Sequence, residues 1–543
     1  MTRNSRTGRL VLVSRPLSLA VSLLWASCGG EPSSASGGGS TAADPPATSA
    51  TPDSAWMDVE PGLTASGPSG FEETDRAVPA QAEAPPAESA AQESTPADTA
   101  LAVEAPAVEA PAVQAEDPAP AQVFPAPSAT TGDGRPVARL VLPEEPLVFA
   151  RPEAVRGIYL NGWASGSRRR TKSAIALATR TEVNSFVIDL KDATGYVSHP
   201  TQVMFAREVG ADQEIRIRDL VGLLERLHEA DIYPIARIVI VKDPLLAARR
   251  PDLAVQDTAG GVWVDGKGLV WSNMFDSDVW DYHIALAKEA IAVGFPEIQW
   301  DYLRFPDAPE EELNRAWYPG QGPRRRTEAV REFLEYAREK LGDVAMTADV
   351  FGVTTSARTD VGIGQLWEEF IGVMDVALPM VYPSHYWVGS FGIQDPNGHP
   401  YEIVRRALTD AGRRSAAVEG AGTTRPWLQD FTLGAPAYGA SEVRAQIQAT
   451  YDAGVDEWIL WNPSSRYSEA ALAPADGYPE GVEPTIRVGG QLVPVSQRET
   501  AIEAERMAEE TAKAEAKAAA EVDAEAGDGV PDVVAADTAE IGR

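Results

Sequence analysis

Three short runs set a carboxylate at or just past the end of an apolar stretch: Val187-Ile-Asp189-Leu-Lys191-Asp192, Ile298-Gln-Trp-Asp301-Tyr-Leu-Arg304-Phe-Pro306 and Ala348-Asp349-Val-Phe-Gly352. Two carboxyl groups facing each other across a gap can cleave a glycosidic bond. One protonates the leaving oxygen, and the other attacks or stabilises the oxocarbenium-like carbon. Asp301 and Asp349 are the candidate pair, with Asp430 an alternative second carboxylate and Asp189 a supporting one. As proton donor Asp349 must stay protonated near neutral pH, which requires burial or a carboxylate neighbour. Arg304, Lys191, Tyr382 and His385 are candidates for orienting a substrate, and Trp163, Trp271, Tyr382, Trp387, Trp427 and Trp461 could offer flat faces to sugar rings. Each residue also has a plain structural reading. Asp301 could pair with Arg304, Asp349 could cap the turn after it, and the tryptophans could plug a core.

Other chemistries find no support. The five histidines, at 199, 228, 283, 385 and 399, lack the spacing of a zinc hydrolase, so no metal or other cofactor is expected. There is no Gly-x-Ser-x-Gly elbow, and the single cysteine, Cys28, lies near the N-terminus.

The candidate residues need elements that bring them together. From residue 155, short apolar runs alternate with amphipathic ones, the pattern of a parallel α/β fold. Strands are predicted at Gly157–Gly162, Ser185–Leu190, Tyr233–Val241, Glu297–Trp300, Val344–Ala348, Val376–Met380, Arg425–Gln429 and Glu457–Trp461. Helical periodicity covers Lys172–Arg180, Ile217–Ala230, Val279–Val293, Arg324–Leu341, Tyr401–Ala411 and Glu442–Ala453, with a shorter helix near Leu366–Ile371. Gly294, Gly342, Gly412 and Gly454 are expected to end four of them. Eight strands with crossover helices predict a (β/α)8 TIM barrel, in which the strand C-termini share one mouth. An open doubly wound sheet would want a glycine-rich phosphate loop after the first strand, and Gly157-Ile-Tyr-Leu-Asn-Gly162 is not one.

These motifs, together with Met380-Val-Tyr382-Pro-Ser-His385-Tyr, resemble a bacterial family assigned to the glycoside hydrolases, of unknown function and with an α-amylase-like barrel. The resemblance spans roughly residues 155–475. It implies that Asp301, after strand four, is the nucleophile. The acid/base after strand five is usually glutamate, and here it is Asp349. The arginine usual two residues before the nucleophile is replaced by Gln299, and Arg304 follows instead.

Charge and composition set the rest of the chain apart. Of a formal net charge of −33, the segments 30–134 and 497–543 carry −24, with Arg76 the only basic residue of the first. Such acidity belongs to solvated tails, which disfavours a nucleic-acid partner. Residues 1–28 read as a secretory signal: arginines 3, 6, 9 and 15, the apolar run Leu17–Trp25, then Ala26, Ser27 and a cysteine placed for lipidation. The expected organisation is a signal at 1–28, a disordered Pro/Ala-rich acidic tether at 29–150, a barrel at 151–478 and an acidic tail at 479–543, partly helical and then disordered. The expected protein is an exported, envelope-anchored glycoside hydrolase acting on a polysaccharide or oligosaccharide. Its rivals are a carbohydrate-binding lipoprotein without turnover and a barrel that hydrolyses amide or ester substituents of glycans.

Overall fold

The computed structural model describes residues 140–527, with side chains to residue 520. The signal segment with Cys28, most of the tether and residues 528–543 lie outside the described residues. Eight strands, β1 (Arg156–Leu160), β2 (Ser185–Lys191), β3 (Tyr233–Val239), β4 (Glu297–Asp301), β5 (Ala345–Phe351), β6 (Val376–Met380), β7 (Trp427–Gln429) and β8 (Trp458–Trp461), pair in parallel. The cylinder closes through Gly157↔Ile459 between β1 and β8 and through Trp427↔Met380 between β7 and β6. The fold is therefore a TIM barrel. Helices α1 (Arg168–Arg180), α2 (Leu220–Glu229), α3 (Ser277–Val293), α4 (Arg326–Leu341), α5 (Trp367–Phe370), α6 (Pro400–Ser415) and α7 (Ala440–Asp452) follow the first seven strands in turn.

Strand alternation decides which residues can do chemistry, because successive side chains point to opposite faces. On β4, Trp300 packs edge-on against Phe333 of α4, so Ile298 and Trp300 belong to the outer layer. Glu297, Gln299 and Asp301 consequently face the barrel interior. That interior has three levels. At the N-terminal end, Arg425, just ahead of β7 and fully buried, donates to Glu297 Oε1 at 2.6 Å and Glu457 Oε2 at 2.9 Å. Val187, Ile235, Leu378 and Ile459 fill the middle with no exposure. A second polar level follows toward the strand C-termini.

The boundaries differ from expectation in three places. Residues 140–150 are not all tether, since Leu140 is buried in the main core and Phe149 packs edge-on against His228 of α2. Gly412 does not end α6, which runs on to Ser415; the chain turns instead at Gly420, where φ is +70°. Beyond residue 478 the chain forms an antiparallel hairpin, β9 (Thr485–Val488) and β10 (Gln491–Pro494), and then helix α8 (Arg498–Gly527). Ile486 and Val488 are fully buried, and Arg487 donates to Glu442 of α7 at 2.7 Å. Arg498 holds Asp452 at the end of α7, and Glu505 lies 2.9 Å from His399 at the start of α6. The turn carries the signal that marks it: Gly489-Gly490 sits between alternating runs, both with positive φ, as a two-residue hairpin turn requires.

Because Ile486 is packed against the barrel helices, Ile486→Ala is expected to cost about 2–5 kcal/mol of stability. Urea unfolding followed by tryptophan fluorescence checks this, and an unchanged midpoint would mean that the segment after 478 is an independent tail.

Candidate active site

The upper polar level is assembled by strand register. Asp189 of β2 stands beside Arg237 of β3, which stands beside Gln299 of β4, and two residues further along the last strand comes Asp301. Arg237 is fully enclosed and serves three carboxylates at once. Its Nε donates to Asp301 Oδ2 at 3.0 Å, Nη2 donates to the same oxygen, and Nη1 donates to Asp189 Oδ1. Asp349 Oδ2 lies 3.7 Å from the same Nε. Asp301 also accepts the Tyr302 amide on Oδ1 at 2.6 Å. That contact needs a sharp bend, and Tyr302 takes it with φ of +52°, a left-handed conformation costly for a tyrosine. The alternative structural pairing of Asp301 with Arg304 does not form; the partner of Asp301 is Arg237.

Asp349 does not cap a turn. It accepts Gln299 Nε2 at 2.9 and 3.1 Å and Trp427 Nε1 at 2.6 Å, all from side chains of the barrel interior. Burial, followed by the charge of Asp301, pushes its carboxyl well above the ordinary range, with Arg237 opposing. Asp189, buried beneath Arg237 and accepting the Tyr159 hydroxyl, is raised to about 6, chiefly by burial. The cause is common to both: one guanidinium cannot offset three desolvated carboxylates. The motif after Asp349 is equally constrained, since a Cβ on Gly352 would lie 2.4 Å from the Met380 carbonyl oxygen.

An open cavity covers this level, lined by the C-terminal ends and following loops of β3 to β8. Asp301, Asp349, Arg304, Tyr382, His385, Trp387, Trp427 and Trp461 all line it. Trp461 stacks on Tyr159 at 4.1 Å and meets Trp427 edge-on, so these rings form part of the floor. Tyr382, His385 and Phe431 form an aromatic wall. Burial, then the charges of Asp349 and Asp301, raise the Tyr382 hydroxyl well above its ordinary range, so it stays a donor.

Other expected residues are not brought into the cavity. Lys191 is fully buried, ion-paired with Asp243 at 2.9 Å and bonded to the Val239 carbonyl. Trp163 is half exposed in the short helix after β1, against Arg216. Asp430 secures the loop after β8 by accepting the amide and hydroxyl of Ser468. Trp271 is buried, donates to Asp265 and lies under Arg304. Asp189 sits behind Arg237 and reaches the site only through it. Sequence reasoning assigned no role to Arg237 and placed Gln299 only as a departure from a pattern. An arginine inside the apolar run Ile235-Ala-Arg237-Ile was the available signal. Among the described residues, no group of three or more His, Cys, Asp or Glu side chains is placed to hold a metal ion.

Residues 157–467 match the family model described as "Putative glycosyl hydrolase domain". No curated protein matches the chain. Among solved structures, a hypothetical protein from Ruminiclostridium thermocellum is 39% identical with a TM-score of 0.33, over 36% of this chain and 97% of that one. The glycoside hydrolase domain of PgaB from Bordetella bronchiseptica is 13% identical, with a TM-score of 0.44, over 57% of this chain and 95% of that one. The α-galactosidase of Thermus thermophilus is 16% identical, with a TM-score of 0.38, over 59% of this chain and 60% of that one.

The raised carboxyl of Asp189 has a thermodynamic consequence. Its folded value of about 6 lies above an unfolded value of about 3.9. Its contribution is therefore fully present below about pH 4 and is lost as pH rises through about 6, on the order of 3 kcal/mol in all. Urea unfolding at pH 4, 5, 6 and 7 is expected to show this loss in the native chain relative to Asp189→Asn. Parallel pH profiles for the two proteins would refute it.

Proposed function

The chain belongs to the glycosyl hydrolase family whose model it matches over residues 157–467, and from that membership and the carboxylate geometry we propose a two-carboxylate cleavage of glycosidic bonds at Asp301 and Asp349. One observation carries the assignment: at the floor of the cavity two carboxyl groups share one arginine, and burial beside Asp301 holds the carboxyl of Asp349 well above the ordinary carboxylate range. Asp301, which accepts two hydrogen bonds from Arg237 and one from the Tyr302 amide, is the nucleophile, and these contacts fix its orientation. Asp349 gives its proton to the leaving glycosidic oxygen. It then takes one from the water that releases the sugar from Asp301. Its oxygen and that of Asp301 lie 3.7 and 3.0 Å from one nitrogen. With both carboxyl groups held against one nitrogen, the reading adopted is the closely spaced pair of a retaining enzyme.

We read this as an α-amylase-like arrangement with two replacements. Asp349 takes the position of the usual glutamate after strand five. Arg237, from the neighbouring strand, supplies the guanidinium missing at Gln299. Trp427, Trp461, Tyr382 and His385 provide the aromatic and polar surface for the sugar. The substrate proposed is a glycan of the cell envelope, a matrix or the environment. Residues 1–28 would export the barrel, with Cys28 as lipid anchor and the acidic segment that follows as a spacer. Among the described residues no helix is long and apolar enough to cross a membrane.

Asp301→Asn is expected to lower hydrolysis of every substrate by orders of magnitude while glycan binding persists. Asp349→Asn should cost on the order of 10²–10⁴-fold on glycans but far less on nitrophenyl glycosides, whose leaving group needs no proton. Release of reducing ends, with the product anomer read by NMR, checks both. Binding without any release by the native chain would favour a non-catalytic carbohydrate-binding protein, and the inverted anomer would remove Asp301 as nucleophile. For export, Cys28→Ser should move the protein from the membrane fraction to the soluble one, and an unchanged distribution would rule out the lipid anchor.

A further inference from the structure

Arg304 lines the cavity beside the carboxylate pair, yet its charge is not used there. Its guanidinium carbon lies 5.0, 4.9 and 4.6 Å from the ring centroids of Trp271, Tyr302 and Phe351. Its one hydrogen bond runs from Nη1 to the Phe305 carbonyl at 3.3 Å. Among the described residues no salt bridge joins it to a carboxylate, whereas Arg237 is ion-paired with Asp189, Asp301 and Asp349.

A guanidinium stacked on aromatic faces has lost little hydrogen-bonding capacity, because stacking uses its faces and leaves its edge of N–H donors. Only 7% of Arg304 is exposed, and that part opens on the cavity. Keeping a desolvated cation in this state is costly unless an anion completes it. Phe351 follows Asp349 by two residues on the same face of β5, so Arg304 sits one step outward from the proposed acid, about where a neighbouring sugar ring would lie.

Resting on the glycoside hydrolase reading above, we infer that the glycan is acidic and that Arg304 grips a carboxylate on the sugar next to the cleaved bond. A planar, two-oxygen anion matches the fork of its donors better than a hydroxyl does. Carboxylates on sugars occur at C6 of uronic acids or on ether-linked acids.

Binding can be read without turnover, by saturation-transfer difference NMR on the full chain. The probes are glucuronate and galacturonate against their neutral C6 amides, and N-acetylmuramate against its methyl ester; the two arms separate the two sources of carboxylate. At least one acid is expected to bind about tenfold or more tightly than its neutral counterpart. That preference should vanish in Arg304→Met and be reduced in Arg304→Lys, which keeps the charge but loses the fork. Equal binding of acid and neutral forms, a preference that survives Arg304→Met, or no binding of any acid at tens of millimolar would each overturn the inference. Circular dichroism and thermal melting of both variants show whether they fold. Turnover by Asp301 is measured separately, so hydrolysis of neutral glycans alone would sink this inference and leave the proposed function standing.

Discussion

Arg237 lies within reach of three buried carboxylates, and most of the chemistry proposed for this protein follows from that imbalance. Coulombic attraction inside a low-dielectric barrel is strong, but so is the cost of stripping water from each charge. The two are reconciled when a carboxyl keeps its proton. The geometry selects which one. Asp301 takes two of the guanidinium's hydrogen bonds and a backbone amide, and Asp189 takes a third together with the Tyr159 hydroxyl. Asp349 receives no hydrogen bond from the arginine, only those of Gln299 and Trp427, and burial holds its carboxyl well above the ordinary range. In the proposed mechanism, one side chain on a neighbouring strand separates the roles of Asp301 and Asp349.

The scaffold makes the arrangement durable. A barrel strand alternates strictly, so Gln299 and Asp301 share the inner face while Trp300 between them is locked into the helical layer against Phe333. Below the site an apolar level separates Arg237 from a second buried cluster, Arg425 with Glu297 and Glu457. The left-handed Tyr302 directly follows Asp301, and beyond Asp349 the chain at Gly352 packs so closely on the Met380 carbonyl that a Cβ would not fit.

Much of this was legible in the chain. Short apolar runs ending in Asp301 and Asp349 gave the strands, and the rule that strand C-termini share a mouth gave the pair. Arg237 was hidden because its role depends on cross-strand register, with Asp189 on one side and Gln299 on the other, which no single segment reveals. Lys191 was misplaced for a definite reason. Period-two alternation puts it on the same face as Asp189, but an irregularity in the β2–β3 pairing between those residues turns it away from the mouth and into its pair with Asp243. Asp430 looked like a spare acid until the Ser468 loop was seen to consume it. The hairpin after residue 478 was obscured by the acidic composition around it, although Gly489-Gly490 between β-rich runs is a turn signal in its own right.

The protonation of Asp349 is the most exposed point, and it can be observed directly. Difference infrared spectra between the native protein and Asp349→Asn, recorded from pH 4 to pH 8, isolate this one carboxyl from all others. The expected result is a protonated-carboxyl band that persists to near-neutral pH in the native protein and is absent from the variant. A band that disappears by about pH 4.5, as for an ordinary aspartate, would show that Arg237 satisfies all three carboxylates together, and Asp349 could then not be the proton donor.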